Sequence, residues 1–255
     1  MADRPIIFSA PMIAALLAGR KTQTRRILKP QPELMPGVSD RFHLSNAHGG
    51  IVNATEGEVR EHGPDFSRFA VGDRLYVREN HAVVPSSAYR MSEGVPQTIN
   101  PNDRDLAAIY AAGWERSKPR WRPSIHMPRW ASRLTLLVTD VRVERLQDIS
   151  RDDAIAEGAT MRPHAYRGGD GWCIDWSPVG RPSRWAADGK ALSEEDICFS
   201  DPRTAFGSFI NVLHDPRWNM KGDGLWGENP WTCAVSFSVH ACNIDQLAPI
   251  AEAAE

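Results

Sequence analysis

The stretch from Leu134 to Val143, Leu-Thr-Leu-Leu-Val-Thr-Asp-Val-Arg-Val, constrains the fold of this chain more than any other. Branched side chains dominate it, and Leu136, Val138 and Asp140 alternate with Leu137, Thr139 and Val141, the period of two that a strand requires. Shorter stretches read the same way: Pro5–Phe8, the segment Arg74–Arg78 entered from a Gly72-Asp73 turn, Ala107–Tyr110, and a last strand over Thr232–His240.

Three helices punctuate these strands. Ser9 is placed to cap the first, whose Met12, Ile13, Leu16 and Leu17 recur at helical spacing and which Gly19 closes in the left-handed conformation. Ser150 caps a short second helix with acids in its first turn, and Gly158 ends it. Glu157 therefore sits at a helix C-terminus, where the dipole disfavours a carboxylate. Asp201-Pro202 opens a third helix with the apolar stripe Ala205, Phe206, Phe209, Ile210 and Leu213.

Between these elements lie stretches rich in proline, glycine and charge, at about 29–68, 83–105 and 161–200, which read as irregular excursions outside the fold. The tail from 246 to 255 is small, acidic and expected to fray. The rest belongs to a single domain over 1–245, a size that buries a substantial core.

With 30 lysines and arginines against 32 acids, the net charge of −2 gives no bulk attraction to nucleic acid. Anion binding must come from local clusters, and there are two. Arg20, Lys21, Arg25 and Arg26 share seven residues with Thr22 and Thr24. Arg116, Lys118, Arg120, Arg122, Arg129 and Arg133 run without an acid and interleave with Trp121 and Trp130, the pattern that both neutralises phosphates and stacks bases. The plainer alternative is tryptophan as core and arginine as rim. Four cysteines without a C-x-x-C pair, no secretory leader and no long apolar run point to a reducing, cytoplasmic setting without membrane contact. His126, His164 and Cys173 have no metal-site spacing, Gly168-Gly169 lacks the context of a phosphate loop, and neither metal nor cofactor is expected.

The order of these motifs resembles the ASCH domain family of the PUA-like superfamily. The resemblance is carried by Gly19-Arg-Lys-Thr-x-Thr-Arg25, Val71-Gly-Asp73 leading into a strand, Val143-x-x-Leu146 and Ala154-x-x-Glu-Gly158, and it covers Pro5–Leu28, Phe69–Glu79, Arg122–Thr160 and Asp201–His240. The stretch Arg122–Arg133 and Asn229-Pro-Trp231 look like the larger members often carried by phages and prophages. The resemblance implies an α+β fold, a small mixed β-barrel decorated by helices, with the long insertions outside it. It also implies binding of RNA, or of modified nucleobases and nucleosides, with DNA as a further alternative.

Some small members of that family remove an acyl group from the exocyclic amine of cytidine derivatives, and others are reported as ribonucleases. The lysine, threonine and glutamate of the amidohydrolase pattern fall on Lys21, Thr24 and Glu157. In that scheme Lys21 activates the Thr24 hydroxyl, with its pKa lowered by burial and by Arg20, Arg25 and Arg26, and Glu157 serves the leaving amine. Without turnover, Lys21 pairs with a phosphate, Thr24 satisfies the backbone and Glu157 salt-bridges Arg25 or Lys21. Nucleic-acid contacts are expected from Arg20, Arg25, Arg26, Arg120, Trp121, Arg122, Arg129, Trp130 and Arg133. A competing class is a non-enzymatic phage accessory protein that docks a protein partner through its tryptophan-rich loops.

Overall fold

The computed structural model describes residues 2–38, 40–46, 49–114, 116, 119–163, 170–174, 199–214 and 224–247. In chain order its elements are β1 (Asp3–Ile7), α1 (Ala10–Leu17), β2 (Gln23–Ile27), β3 (Glu33–Leu34), β4 (Phe42–Asn46), β5 (Gly49–Ala54), α2 (Glu56–His62), β6 (Arg74–Arg78), β7 (His81–Pro85), β8 (Thr98–Asn100), β9 (Asp103–Tyr110), β10 (Thr135–Arg145), α3 (Arg151–Ala156), β11 (Ala159–Pro163), β12 (Asp170–Ile174), α4 (Pro202–His214), α5 (Gly224–Glu228) and β13 (Trp231–His240). This is a mixed α+β chain with several sheets, and none of the described sheets closes into a barrel. None of the described helices is long and apolar enough to cross a membrane.

The chain divides into two compact units, each assembled from separated segments. The first comprises Met1–Gly19, Gly72–Val138 and Ser238–Glu255. In it β1 runs parallel to β6, and the start of β10 runs antiparallel to β6 with Leu136 opposite Leu75. Leu75, Val77, Leu134 and Leu136 are buried, as their alternation predicts. The β7, β8 and β9 strands form a separate antiparallel sheet in the order β7-β9-β8. Its core joins Ala108 and Tyr110 to Met127 and Ala131, with Trp130 packed against them. The expectation of an irregular 83–105 is thus corrected. The start of β9, Asp103 to Asp105, is exposed, while Ala107, Ala108, Ile109 and Tyr110 are buried in succession, so both faces of its second half are covered.

The second unit comprises Arg20–Val71 and Thr139–Phe237. Here β13 lies between β10 and β2, with Val235 opposite Thr24 and Ala234 opposite Arg25. The excursion expected over 29–68 is corrected as well. It forms the three-stranded sheet β3-β4-β5 and helix α2, whose Thr55 and Glu58 make a reciprocal capping box. Phe42, Leu44, Ala54 and Val59 from this segment share a buried cluster with Leu28, Val143 and Trp231. A segment that supplies half of a core carries the fold.

In α4 the stripe Ala205, Phe206, Phe209 and Ile210 is buried, whereas Leu213 is exposed. Gly207 is required by close packing, because a Cβ there would lie 2.7 Å from the Trp226 ring. Ser9 takes the N-cap position of α1 but makes no capping hydrogen bond, unlike Ser150, whose side chain accepts from the Asp153 N–H. Lys118, His164, Gly168, Gly169, Trp176, Trp185 and the tail from 248 lie outside the described residues.

Candidate functional site

Helix α3 and strand β2 build the first site, within the second unit. The chain is pinned to the end of α3 by the Thr22 N–H, which donates to the Ala156 carbonyl at 2.9 Å. That hydrogen bond delivers Lys21 to the helix terminus. Its Nζ donates to Glu157 Oε2 at 2.6 Å and to the Glu157 backbone carbonyl at 3.0 Å. The carboxylate that opposed the helix dipole is therefore met by a cation that also caps the last turn. Gly158, at φ +110°, then turns the chain away.

Arg25 extends the network. Its guanidinium pairs with Glu144, with Asp153 Oδ2 at 3.1 Å and with Glu157 Oε1 at 3.6 Å, and donates to Gln23 Oε1 at 2.5 Å. Gln23 in turn donates to Asp153 and Ser236, and the Arg25 guanidinium lies 5.9 Å from the Phe206 ring centre. Arg142 adds ion pairs to Asp153 at 3.1 Å and Glu144 at 3.7 Å. Lys21, Arg25 and Arg142 are thus matched by Glu144, Asp153 and Glu157. The anion this basic run calls for is supplied by the chain itself.

Lys21 is 0% exposed, and Glu157 and Arg25 are each 5% exposed. Burial lowers the Lys21 pKa, with Arg26 and Arg25 adding to the fall and Glu157 opposing it. Asp153 is held below the usual carboxylate range: burial would raise it, but Gln23, Arg25 and Arg142 outweigh that effect. Glu157 Oε1 is buried and accepts no hydrogen bond.

Thr24 is buried and one strand position from Arg25, so its side chain leaves the opposite face of β2. Lys21 and Glu157 meet, while Thr24 leaves β2 on the other face from Arg25. Arg20 and Arg26 are half-buried, and Arg20 Nη1 is enclosed without a hydrogen-bond partner. Glu144, Asp153 and Gln23 were not among the expected site residues. The signal for Asp153 is its place in the first turn of α3; nothing local marks Glu144.

The second cationic cluster, in the first unit, separates into two kinds of residue. Arg129 bridges Asp3 and Asp245, both at 2.6 Å. Arg133 pairs with Glu79 at 2.8 Å and lies 4.1 Å from the Tyr110 ring centre. Trp130, half-buried, packs against the core of Ala108, Tyr110, Met127 and Ala131, so each of these three residues has a partner within the unit.

Arg120, Trp121 and Arg122 behave differently. With Pro123 and His126 they line an open cleft of about 520 Å³. Arg120 and Arg122 are exposed, and neither enters an ion pair among the described residues. Beneath them His81 is 0% exposed, joined to Arg122 by backbone hydrogen bonds in both directions, and neither of its ring nitrogens makes a hydrogen bond of normal geometry. Burial pulls the His81 pKa below 6.5; the Glu79 backbone opposes this, while Arg122, Arg78 and His126 deepen it. Among the described residues the cleft lining holds no acid, and the charge of Arg120 and Arg122 favours an anion. Trp121 meets Trp114 edge to face at 5.4 Å, and Trp114 meets Tyr89 at 5.1 Å.

Among the described residues no group of three or more histidines, cysteines or acids is arranged to hold a metal ion. No protein-family model matches the chain, and neither a curated protein nor a solved structure matches it.

Proposed function

We propose that this protein binds single-stranded nucleic acid, in the manner of an ASCH-type module, with the Arg120–Trp121–Arg122 cleft as the contact face and RNA as the ligand. One observation carries the reading: two exposed arginines flank a half-buried tryptophan in an open cleft, with no ion pair to either arginine and no acid in the lining among the described residues. Guanidinium groups supply the phosphate contact and its salt dependence, and the indole supplies a stacking face that tolerates any base. The test is a fluorescence-anisotropy titration of labelled oligouridylate and oligothymidylate with the wild-type protein and with an R120A/R122A variant. Binding by the wild type and its loss in the variant support the reading. Equal binding by both refutes the contact face, and a salt-insensitive protein partner at the same surface would favour the accessory-protein class instead.

A second reading, hydrolysis of an acylated base or of RNA at Lys21 and Glu157, is favoured by the 2.6 Å hydrogen bond between them and by the lowered Lys21 pKa. A lysine that gives up its proton readily is what a threonine or water nucleophile needs. Against it stands the burial of Lys21: turnover requires the residues over Nζ to move aside. Release of cytidine from N4-acetylcytidine by the wild type, abolished in Thr24→Ala and Glu157→Gln, supports this chemistry; no release above background removes it.

A further inference from the structure

The segment that lines the cleft is clamped to the first unit by four consecutive residues, Arg78 to His81, where β6 hands over to β7. The Arg78 guanidinium donates to the Ile125 carbonyl, and the Glu79 N–H points to Met127 Sδ at 3.2 Å. Asn80 Oδ1 accepts from the Ser124 N–H at 3.0 Å. His81 closes the clamp with two backbone hydrogen bonds to Arg122, at 3.2 Å and 2.7 Å. Arg122 and His126, both in the cleft lining, therefore keep their place through this connector.

The clamp encloses an imidazole. His81 is fully buried, and among the described residues neither ring nitrogen makes a hydrogen bond of normal geometry. Three groups act on it against a further proton: Arg78 just before it in the chain, Arg122 across the bridge, and His126 further along the cleft segment. The Glu79 backbone favours a proton, but the Glu79 carboxylate is taken by Arg133, at 2.8 Å and 2.9 Å. Opposite His81 on β9 stands Tyr110, whose hydroxyl donates to the Ala131 carbonyl at 2.9 Å. The neutral ring fits this site. An imidazolium gains by reaching water, and to reach it residue 81 must pull away from Arg122.

We infer that His81 is a proton-sensitive positioning residue for the cleft: while neutral it holds Arg122 in place, and on gaining a proton it releases the Arg122 bridge and with it the bound anion. This rests on the proposed nucleic-acid function and adds to it a control by acidity. The sign of the pH dependence is diagnostic. Protonation of His126, exposed in the lining, adds positive charge and would tighten anion binding as pH falls. Release through His81 loosens it.

The experiment follows labelled oligouridylate by fluorescence anisotropy between pH 8 and pH 5 at constant ionic strength. The protein is the full chain, as wild type, His81→Gln and Asn80→Ala, with circular dichroism checking the fold at each pH. Wild-type affinity is expected to fall on acidification, by at most about tenfold per pH unit for one coupled proton. Glutamine cannot take that proton, so the affinity of His81→Gln is expected not to fall. Asn80→Ala removes the Ser124 contact from an exposed position without touching the buried ring, and its loss of affinity is expected to begin at a higher pH than that of the wild type. Where His81→Gln does not fold, the onset in Asn80→Ala decides. Wild-type affinity that stays level or rises on acidification overturns the inference while leaving the phosphate site standing. A fall that persists in His81→Gln, or an onset unmoved in Asn80→Ala, overturns it too, and binding at no pH removes the proposed function and its control together.

Discussion

Lys21 and Glu157, 136 residues apart in sequence, share two hydrogen bonds: one ammonium donates to the carboxylate and to the backbone carbonyl of the same residue. The pair joins the chain entering β2 to the last turn of α3, and it is fully enclosed. Removing one partner from such a site leaves a buried charge behind. Lys21→Met is expected to lower unfolding free energy by about 3–5 kcal/mol, and Lys21→Met with Glu157→Gln to lose less than the single variant. Urea denaturation of the three proteins checks this. Because Glu157→Gln strands the Lys21 ammonium in the same way, Thr24→Ala is the variant of choice for separating catalysis from folding.

His81 ties stability to pH. Its folded-state pKa lies below 6.5, so the unfolded chain binds a proton more readily as pH falls through that value. The contribution of His81 is fully present above pH 6.5, declines on acidification, and levels off below the folded-state pKa. Denaturation midpoints of the wild type and of His81→Gln, measured between pH 8 and pH 5, are expected to diverge at the upper end and converge toward the lower.

Asp153 works in the opposite range. Its carboxyl is held below 3.8 by Gln23, Arg25 and Arg142, so its contribution is present above that value and lost as pH falls through the lowered pKa. Asp153→Asn is expected to flatten the acid limb of the stability profile while leaving the region near neutrality parallel to the wild type, read as chemical-denaturation midpoints at a series of acidic pH values.

Gly207 faces the Trp226 ring so closely that a methyl group has no room. Gly207→Ala is expected to destabilise the second unit by about 1–3 kcal/mol through overpacking, despite the better helix propensity of alanine. A compensating Trp226→Leu change in the same chain should recover part of the loss in a thermal or urea melt.

The elements that sequence made legible are those whose pattern is local. Leu136 and Val138 in β10, the Ser150 cap of α3 and the buried face of α4 all declare themselves within a few residues. The β3–β5 and β7–β9 sheets do not, because short strands such as Glu33–Leu34 and Thr98–Asn100 acquire their identity from pairing partners elsewhere in the chain. The basic run at Arg20–Arg26 shows the same limit at the level of charge. Its density is visible in sequence, but Glu144 and Asp153, which neutralise Arg25, come from β10 and α3 and leave no mark near it. Arg129 and Arg133 likewise look free until Asp3, Asp245 and Glu79 are placed beside them.

The salt dependence of binding tests the nucleic-acid account most directly. In a plot of log K against log salt for oligouridylate, the wild type should fall steeply. Replacing Arg120 and Arg122 together with alanine should make the slope shallower by about 1.4, roughly 0.7 for each phosphate that is no longer neutralised. Identical slopes for the two proteins, or a binding constant indifferent to salt, would contradict a phosphate-holding role for this cleft.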